Sequence, residues 1–290
     1  MSKVAILTDS NSGMTQDEAK RLGIACMPMP FRINGEEYLE DINLSQEQFY
    51  EFLMNDADVS TSQPSVGTVK GYYDRLLEDH DEIVHIPMSS GLSSTYQTAS
   101  MISHEEEYEG KVFVVNSQRI SGSQKYDALN AKKMADQGMS GQEISDLLTK
   151  TKMDTTIYIT LETLYYLEKG GRLTPAAAAM GKLLKIKPVL TIQGDKLDSF
   201  KKTRTVAKGK DIMLEATIND INERIDPEGK GENVDFIVHY TYDRQLGLDF
   251  RDQILEAFPG KEIPVEPLSL SVSCHIGPNS VAVICCKKIL

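Results

Sequence analysis

Short apolar runs alternate with amphipathic segments through the first half of the chain. The runs KVAIL (3–7), EIVHIPM (82–88) and KVFVV (111–115) have the length and the apolar content of buried strands. The first intervening segment begins with a capping box, Thr15 with Glu18, and its helix is expected to end before Gly23. Strands that alternate with helices predict an α/β domain whose sheet is mostly parallel, with right-handed crossovers.

The same patterns predict the other elements of this half. Asn34-Gly35 is the usual signal for a type I′ hairpin turn. The remaining predicted elements are a helix opened by Ser45 with Gln48, a helix capped by Ser65, helices from about 93, over 122–137 and over 141–150, and a strand over 156–161.

The pattern changes after about residue 165. Residues 164–185 are typical of two short helices joined by a Gly-Gly turn. The rest is predicted as a hairpin turning at Gly194-Asp195, a helix over 206–224, a strand over 235–241, a helix over 243–257, and strands over 263–270 and 280–287. We therefore predict an α/β domain over 1–165 and an α+β domain over 166–290, with the cleft between them as the default ligand site.

Composition and charge exclude several function classes. The chain has 290 residues, of which 40% are apolar, and a formal charge of −12, which argues against nucleic acid binding. No apolar run approaches a membrane span and no signal peptide precedes the first strand, so we expect a soluble protein of the cytoplasm. The four cysteines form no CxxC motif and the five histidines show no ligand spacing, so neither a disulfide nor a metal site is expected.

The candidate chemistry lies in two hydroxyl-rich stretches, STSQPSVGT (60–68) and HIPMSSGLSSTYQTA (85–99). The second lacks the final glycine of a nucleophile elbow, and no phosphate-binding glycine motif occurs. Cys274 and His275, taken as extended chain, would point to opposite faces and form no dyad. Hydroxyls and free N–H groups at helix starts predict an anion pocket, with plain helix caps as the alternative. Asp9 after the first strand is either a metal ligand or a loop cap.

Five strings resemble the DegV family, in order and over about residues 3–288. They are TDSNS (8–12), TSQPS (61–65), SSGLSSTYQTA (89–99), EKGGRL (168–173) and HIGPNSVAV (275–283). The resemblance implies a two-domain protein that holds one long-chain fatty acid, such as palmitate, in a buried tunnel between the domains. It further implies a carrier subunit, without catalytic activity or cofactor, that presents the carboxylate to a separate ATP-dependent kinase. The acyl phosphate would then pass to an acyltransferase of phospholipid synthesis.

The resemblance also assigns site residues. It implies that Thr61 and Ser93 hold the carboxylate, with Ser62 and Ser94 beside them and His275 next to the head group. Arg172 and Arg204 match arginines of the head-group end or of kinase docking. This sequence departs from the family at two positions.

At those two positions, Ser94 and Asn279 stand where the family has glycine, and asparagine tolerates a left-handed backbone. The apolar strands, the methionines and the segment PAAAAMGKLLKI (175–186) are candidates for the tunnel lining.

Two alternatives to the carrier stay open. One is a catalytic kinase subunit that binds a small ketone covalently through His275, and the other is a hydrolase with Ser93 as the nucleophile.

Overall fold

The computed structural model describes residues 2–181 and 186–289. The chain forms two compact units, one made of Met1–Ser45 with Asp58–Lys152 and the other of Gln46–Ala57 with Met153–Leu290. The chain thus leaves the first unit for one helix and returns to it. The described residues contain no helix with the length and apolarity needed to cross a bilayer.

The first unit is built on a four-stranded parallel sheet in the order β2 (Ala25–Met27), β1 (Val4–Asp9), β6 (Glu82–Ile86) and β7 (Val112–Val114). Every residue of the first strand is buried, which explains why its sequence is an uninterrupted apolar run up to Thr8 and Asp9. The sheet packs on helices through a core that includes Leu7, Tyr73 and Ile83. The elements of this unit are β1 (Val4–Asp9), α1 (Gln16–Leu22), β2 (Ala25–Met27), β3 (Pro30–Ile33), β4 (Glu36–Leu39), β5 (Val59–Thr61), α3 (Val66–Leu77), β6 (Glu82–Ile86), α4 (Thr95–Ser103), β7 (Val112–Val114), α5 (Ser121–Asp136) and α6 (Gly141–Lys150).

A small antiparallel sheet, in the order β4-β3-β5, adjoins these elements in the first unit. Its hairpin turns at Asn34-Gly35, where φ is 51° and 88°. Two successive positive φ values define the type I′ turn that the dipeptide predicts. The hairpin prediction is confirmed.

Helix caps in this unit follow the sequence signals, with one difference. Thr15 Oγ1 accepts from Glu18 N at 3.1 Å, and Ser65 Oγ accepts from Thr68 N at 3.0 Å. The Glu18 carboxylate binds Lys125 Nζ at 2.8 Å, so it pairs with a lysine of α5. The capping serine and threonine are therefore confirmed, and Glu18 contributes an ion pair to the helix packing.

The second unit contains a six-stranded mixed sheet. Its strands stand in the order β10 (Leu197–Thr203), β9 (Lys187–Ile192), β8 (Thr155–Thr160), β13 (Val281–Lys287), β11 (Val234–Tyr240) and β12 (Val265–Pro267). Only the pair β11–β12 is parallel. Its core includes Met213, Phe236 and Phe250, packed between the sheet and two long helices. The elements are α2 (Gln46–Met54), β8 (Thr155–Thr160), α7 (Tyr165–Lys169), α8 (Pro175–Gly181), β9 (Lys187–Ile192), β10 (Leu197–Thr203), α9 (Val206–Asp220) continued by a short π-helix (Ile221–Ile225), β11 (Val234–Tyr240), α10 (Arg244–Ala257), β12 (Val265–Pro267), α11 (Leu270–Ile276) and β13 (Val281–Lys287).

Two expectations about this part of the chain are corrected. Strand β8, expected as the last strand of the first domain, pairs antiparallel with β9 and β13 in the six-stranded sheet. Cys274 and His275, expected in extended chain, lie on α11. The stretch from Leu268 to Ile276 alternates apolar and small polar residues, which is a strand pattern, but serines small enough to be buried allow a helix to pack on both sides.

Other sequence expectations for the second unit hold. Two short helices flank the Gly170-Gly171 turn, and a hairpin joins β9 to β10 across Gly194. The four cysteines are buried thiols, and their burial is as expected of small apolar side chains. Residues 182–185 of the expected tunnel lining lie outside the described residues.

Candidate functional site

The first hydroxyl stretch follows the end of strand β5. Thr61 is the last residue of that strand, pairs with Phe31 of β3 and is half-buried. Ser62 is exposed, and its N–H donates to Pro30 O at 3.3 Å. The helix-capping function of this stretch belongs to Ser65. Thr61 is therefore not needed as a helix cap.

The second stretch places Ser93 at the start of α4. Ser93 Oγ accepts from Thr95 N at 3.2 Å and lies 2.8 Å from Thr95 Oγ1. When Thr95 donates in the second contact, the Ser93 hydroxyl proton points elsewhere and can be donated to an anion. Ser94 occupies the N-cap position and is exposed, but its side chain makes no capping bond. Ser93 is thus both a cap and a potential donor.

Within the first unit, the structure brings the two hydroxyl stretches together. Thr98 Oγ1 of α4 donates to Gln63 Oε1, two residues after Thr61, at 3.2 Å. Each stretch lies at the start of a helix, where unpaired N–H groups and the helix dipole favour a negative group. The arrangement suits a carboxylate or a phosphate held by neutral donors.

Asp9 is a buried loop cap that positions the second stretch. Its Oδ1 accepts from Asn11 N at 3.0 Å and from Gln124 Nε2 at 3.1 Å, and its Oδ2 accepts from Met88 N at 3.0 Å. Burial raises the pKa of this carboxyl, and these N–H donors oppose the effect. The bond to Met88 ties β1 to the loop that leads to Ser93.

A buried arginine supports the same loop, and sequence reasoning did not identify it. The carbonyl of Arg119 accepts from Ser89 N at 2.7 Å, and Ser89 O in turn accepts from Ser93 N at 3.2 Å. The Arg119 side chain is 1% exposed, with Nη1 2.7 Å from Asp127 Oδ1 and Nη2 2.7 Å from Thr151 O. Because arginine is rarely buried, composition and periodicity gave no signal for this role.

In the second unit, His275 and Arg172 meet at Gly170. Arg172 Nη1 donates to Gly170 O at 2.6 Å, and the His275 ring packs directly against the Gly170 Cα. Burial lowers the pKa of His275 to about 4, and the charge of Arg172 acts in the same direction. The imidazole is therefore neutral near pH 7, which suits orientation of a ligand by hydrogen bonding better than charge neutralisation.

The other two marked positions of this unit lie on loops. Arg204 is exposed between β10 and α9, next to Thr205, which caps α9. Asn279 has φ 58°, so asparagine adopts the left-handed backbone expected where the family has glycine. Its N–H donates to Thr241 O at 3.1 Å, which anchors the loop that follows His275.

Comparison with known proteins identifies the family. A family model described as "Uncharacterised protein, DegV family" matches residues 3–288. The chain belongs to the DegV family. A DegV domain-containing protein of Halalkalibacterium halodurans is 34% identical over 285 residues, covering 97% of each chain.

Two solved DegV structures also match over nearly the whole chain. One, from Thermus thermophilus, is described by its fatty acid binding. It is 26% identical, covers 98% of this chain and 99% of its own, and has a TM-score of 0.86. The other, from Bacillus subtilis, is described as a fatty acid binding protein, is 25% identical, covers 99% and 100%, and has the same TM-score of 0.86.

These DegV relatives bear on the alternatives. Both structures are described by fatty acid binding, and neither description gives support to a kinase subunit that binds a small ketone through His275. In the described part of the chain, Ser93 Oγ bonds to Thr95 and not to a histidine. Residues 2–181 and 186–289 also contain no cluster of three or more His, Cys, Asp or Glu side chains that would hold a metal ion.

Proposed function

We propose that this DegV protein binds a long-chain fatty acid and holds its carboxylate with Thr61 and Ser93. The observation that carries the proposal is the likeness, over 98% or more of the chain, to two DegV structures described as fatty acid-binding. The two hydroxyl stretches joined through Thr98 and Gln63 support it. Ser62 and Ser94 lie next to the two principal donors. Ser62 contributes its hydroxyl, because its N–H already donates to Pro30 O, and Ser94 contributes a hydroxyl or an N–H.

The chemistry of a fatty acid fits this proposal. Each methylene removed from water contributes about 0.8 kcal/mol, so roughly fourteen of them offer about 11 kcal/mol before ordering costs. Tail burial then supplies most of the affinity, and the head group needs only orientation. Neutral hydroxyls leave the carboxylate charge uncompensated by an ion pair, so it stays nucleophilic toward a phosphoryl group.

Lipid extraction tests the proposal directly. Protein purified from cells under native conditions should release about one equivalent of a long-chain fatty acid on denaturing extraction, measured by mass spectrometry. Delipidated protein should take up labelled palmitate. Protein that contains no fatty acid and takes up none would contradict the proposal.

The further step of the proposal is a carrier function. We infer that the bound acid is presented to a separate ATP-dependent kinase, which forms an acyl phosphate for an acyltransferase of phospholipid synthesis. The resemblance of KKTRT and GGRL to family strings supports this step, as do the exposed Arg204 and Arg172 on a chain of charge −12. An exposed guanidinium suits contact with carboxylates of a protein partner.

The Arg204→Ala variant separates this docking function from lipid binding. It should bind palmitate with unchanged affinity but support acyl phosphate formation by the kinase at a rate reduced tenfold or more. The reaction is followed as ATP- and kinase-dependent conversion of the bound acid, trapped with hydroxylamine. The matched control is Arg21→Ala, which removes an exposed arginine of α1. Equal rates for the two variants would remove Arg204 from the docking surface.

A further inference from the structure

Two rings and two glycines interlock where α7 meets α11 in the second unit. A Cβ atom on Gly170 would lie 2.7 Å from Cε1 of His275 and closer still to Nδ1. A Cβ atom on Gly277 would lie 2.5 Å from Cε2 of Tyr166. Non-bonded carbon atoms stay about 3.5–4.0 Å apart, so each ring fills space that only glycine leaves open. Each helix supplies one ring, and the glycine at its C-terminal end receives the ring of the other.

Backbone conformation does not explain glycine at position 170. Gly170 has φ −79° and ψ −7°, which any residue adopts without strain. Gly277 differs, because φ 79° with ψ 175° is a region that essentially only glycine enters. The contact with His275 is therefore the reason that Gly170 carries no side chain.

Gly170 also holds Arg172. Its carbonyl accepts from Arg172 Nη1 at 2.6 Å, while its own N–H donates to Tyr166 O at 2.9 Å. One residue thus contacts the imidazole through its Cα and the guanidinium through its carbonyl. The charge of Arg172 acts on His275, which agrees with the two groups being close together.

We propose that Gly170 is a positioning residue that sets His275 and Arg172 relative to each other at the head-group end of the fatty acid site. The inference rests on the proposed function. A side chain at position 170 pushes the imidazole off the helix end, away from the place where it meets the ligand head group. The packing of Tyr166 against Gly277 fixes the last turn of α11, which carries His275.

The Gly170→Ala variant tests the positioning. The pKa of His275, lowered to about 4 in the native protein, should rise toward the ordinary value near 6.5 because the displaced ring gains solvent. It is measured by NMR titration of the histidine Cε1–H signals, with His275→Gln to assign the signal. Palmitate affinity of the delipidated protein should fall about tenfold. Gly71→Ala in α3, where nothing lies within 4 Å of the added Cβ, should change neither quantity.

The remaining outcomes are decisive. A folded Gly170→Ala protein with an unshifted His275 pKa overturns the proposal, and so does a shifted pKa with native palmitate affinity. Native protein that fails to bind palmitate refutes the proposed function, whereas the His275 titration still tests whether Gly170 positions His275. Should Gly170→Ala fail to fold, Tyr166→Ala removes one ring without adding atoms, and Tyr166→Phe keeps it. The pKa of His275 should then rise in the alanine variant only, and equal values overturn the proposal.

Discussion

Replacing Arg119 with alanine should lower the free energy of unfolding by about 3–5 kcal/mol, the cost of removing one partner from a buried ion pair. The Arg119 and Asp127 side chains are 1% and 0% exposed and lie 2.7 Å apart. Without the guanidinium, the buried Asp127 carboxylate loses its cationic partner and Thr151 O loses a donor. Urea unfolding followed by circular dichroism measures the change.

The loss of unfolding free energy in Arg119→Ala should also depend on pH. Burial raises the pKa of Asp127 to about 6, with Arg119 opposing the effect, whereas the unfolded value is near 3.9. The folded protein therefore binds the extra proton between about pH 4 and 6, and the contribution of this group to stability falls as pH rises through that window. Since the pKa of Asp127 rises further without Arg119, the loss of unfolding free energy in Arg119→Ala should be larger at pH 7.5 than at pH 5.

A double variant provides the control. Arg119→Met with Asp127→Val replaces both charges by apolar side chains of similar total volume, and it should recover most of the lost stability. Arg21→Ala, at an exposed site of α1, should change stability by less than about 0.5 kcal/mol. A loss below about 1 kcal/mol in Arg119→Ala would contradict the prediction, and no recovery in the double variant would show that the loss does not come from an unpaired Asp127 carboxylate.

Local signals in the sequence determine which elements form, but not always their partners. The Asn34-Gly35 dipeptide predicts its hairpin because the turn needs two positive φ values that these residues adopt easily. The strand over 156–161 is just as visible, yet its neighbours in the sheet are fixed by contacts with β9 and β13 far along the chain. Periodicity reports burial of a strand and contains no information on pairing.

The sequence likewise predicts the ligand-binding residues of the candidate site but not the residues that support them. The hydroxyl stretches and the family strings point to Thr61, Ser93 and His275 from sequence alone. The residues that hold the loop before Ser93 are Asp9, which accepts from Met88 N, and Arg119, whose carbonyl accepts from Ser89 N. A charged side chain is expected at the surface, so only the tertiary structure shows that these two lie inside and shape the loop.

Thr61→Ala and Ser93→Ala should each weaken palmitate binding by about 1–3 kcal/mol, which is roughly a 5- to 150-fold increase in Kd, because each leaves a carboxylate oxygen without its donor. If both hydroxyls bind the same carboxylate, the effects should not add in the double variant, since residues that share one partner are coupled. Titration of delipidated protein with labelled palmitate measures all three values.

The chain offers a matched control for this test. Ser65 lies four residues after Thr61, and its hydroxyl caps α3, so Ser65→Ala should cost about 1 kcal/mol of stability while leaving palmitate affinity unchanged. Thr61→Ser keeps the donor and should bind nearly as tightly as the native protein. Native affinity in both alanine variants would mean that other groups hold the carboxylate. Of these two hydroxyls, the one of Ser65 caps α3. If Ser65→Ala lowered palmitate affinity as much as Thr61→Ala does, the measurement would therefore report the stability of that helix.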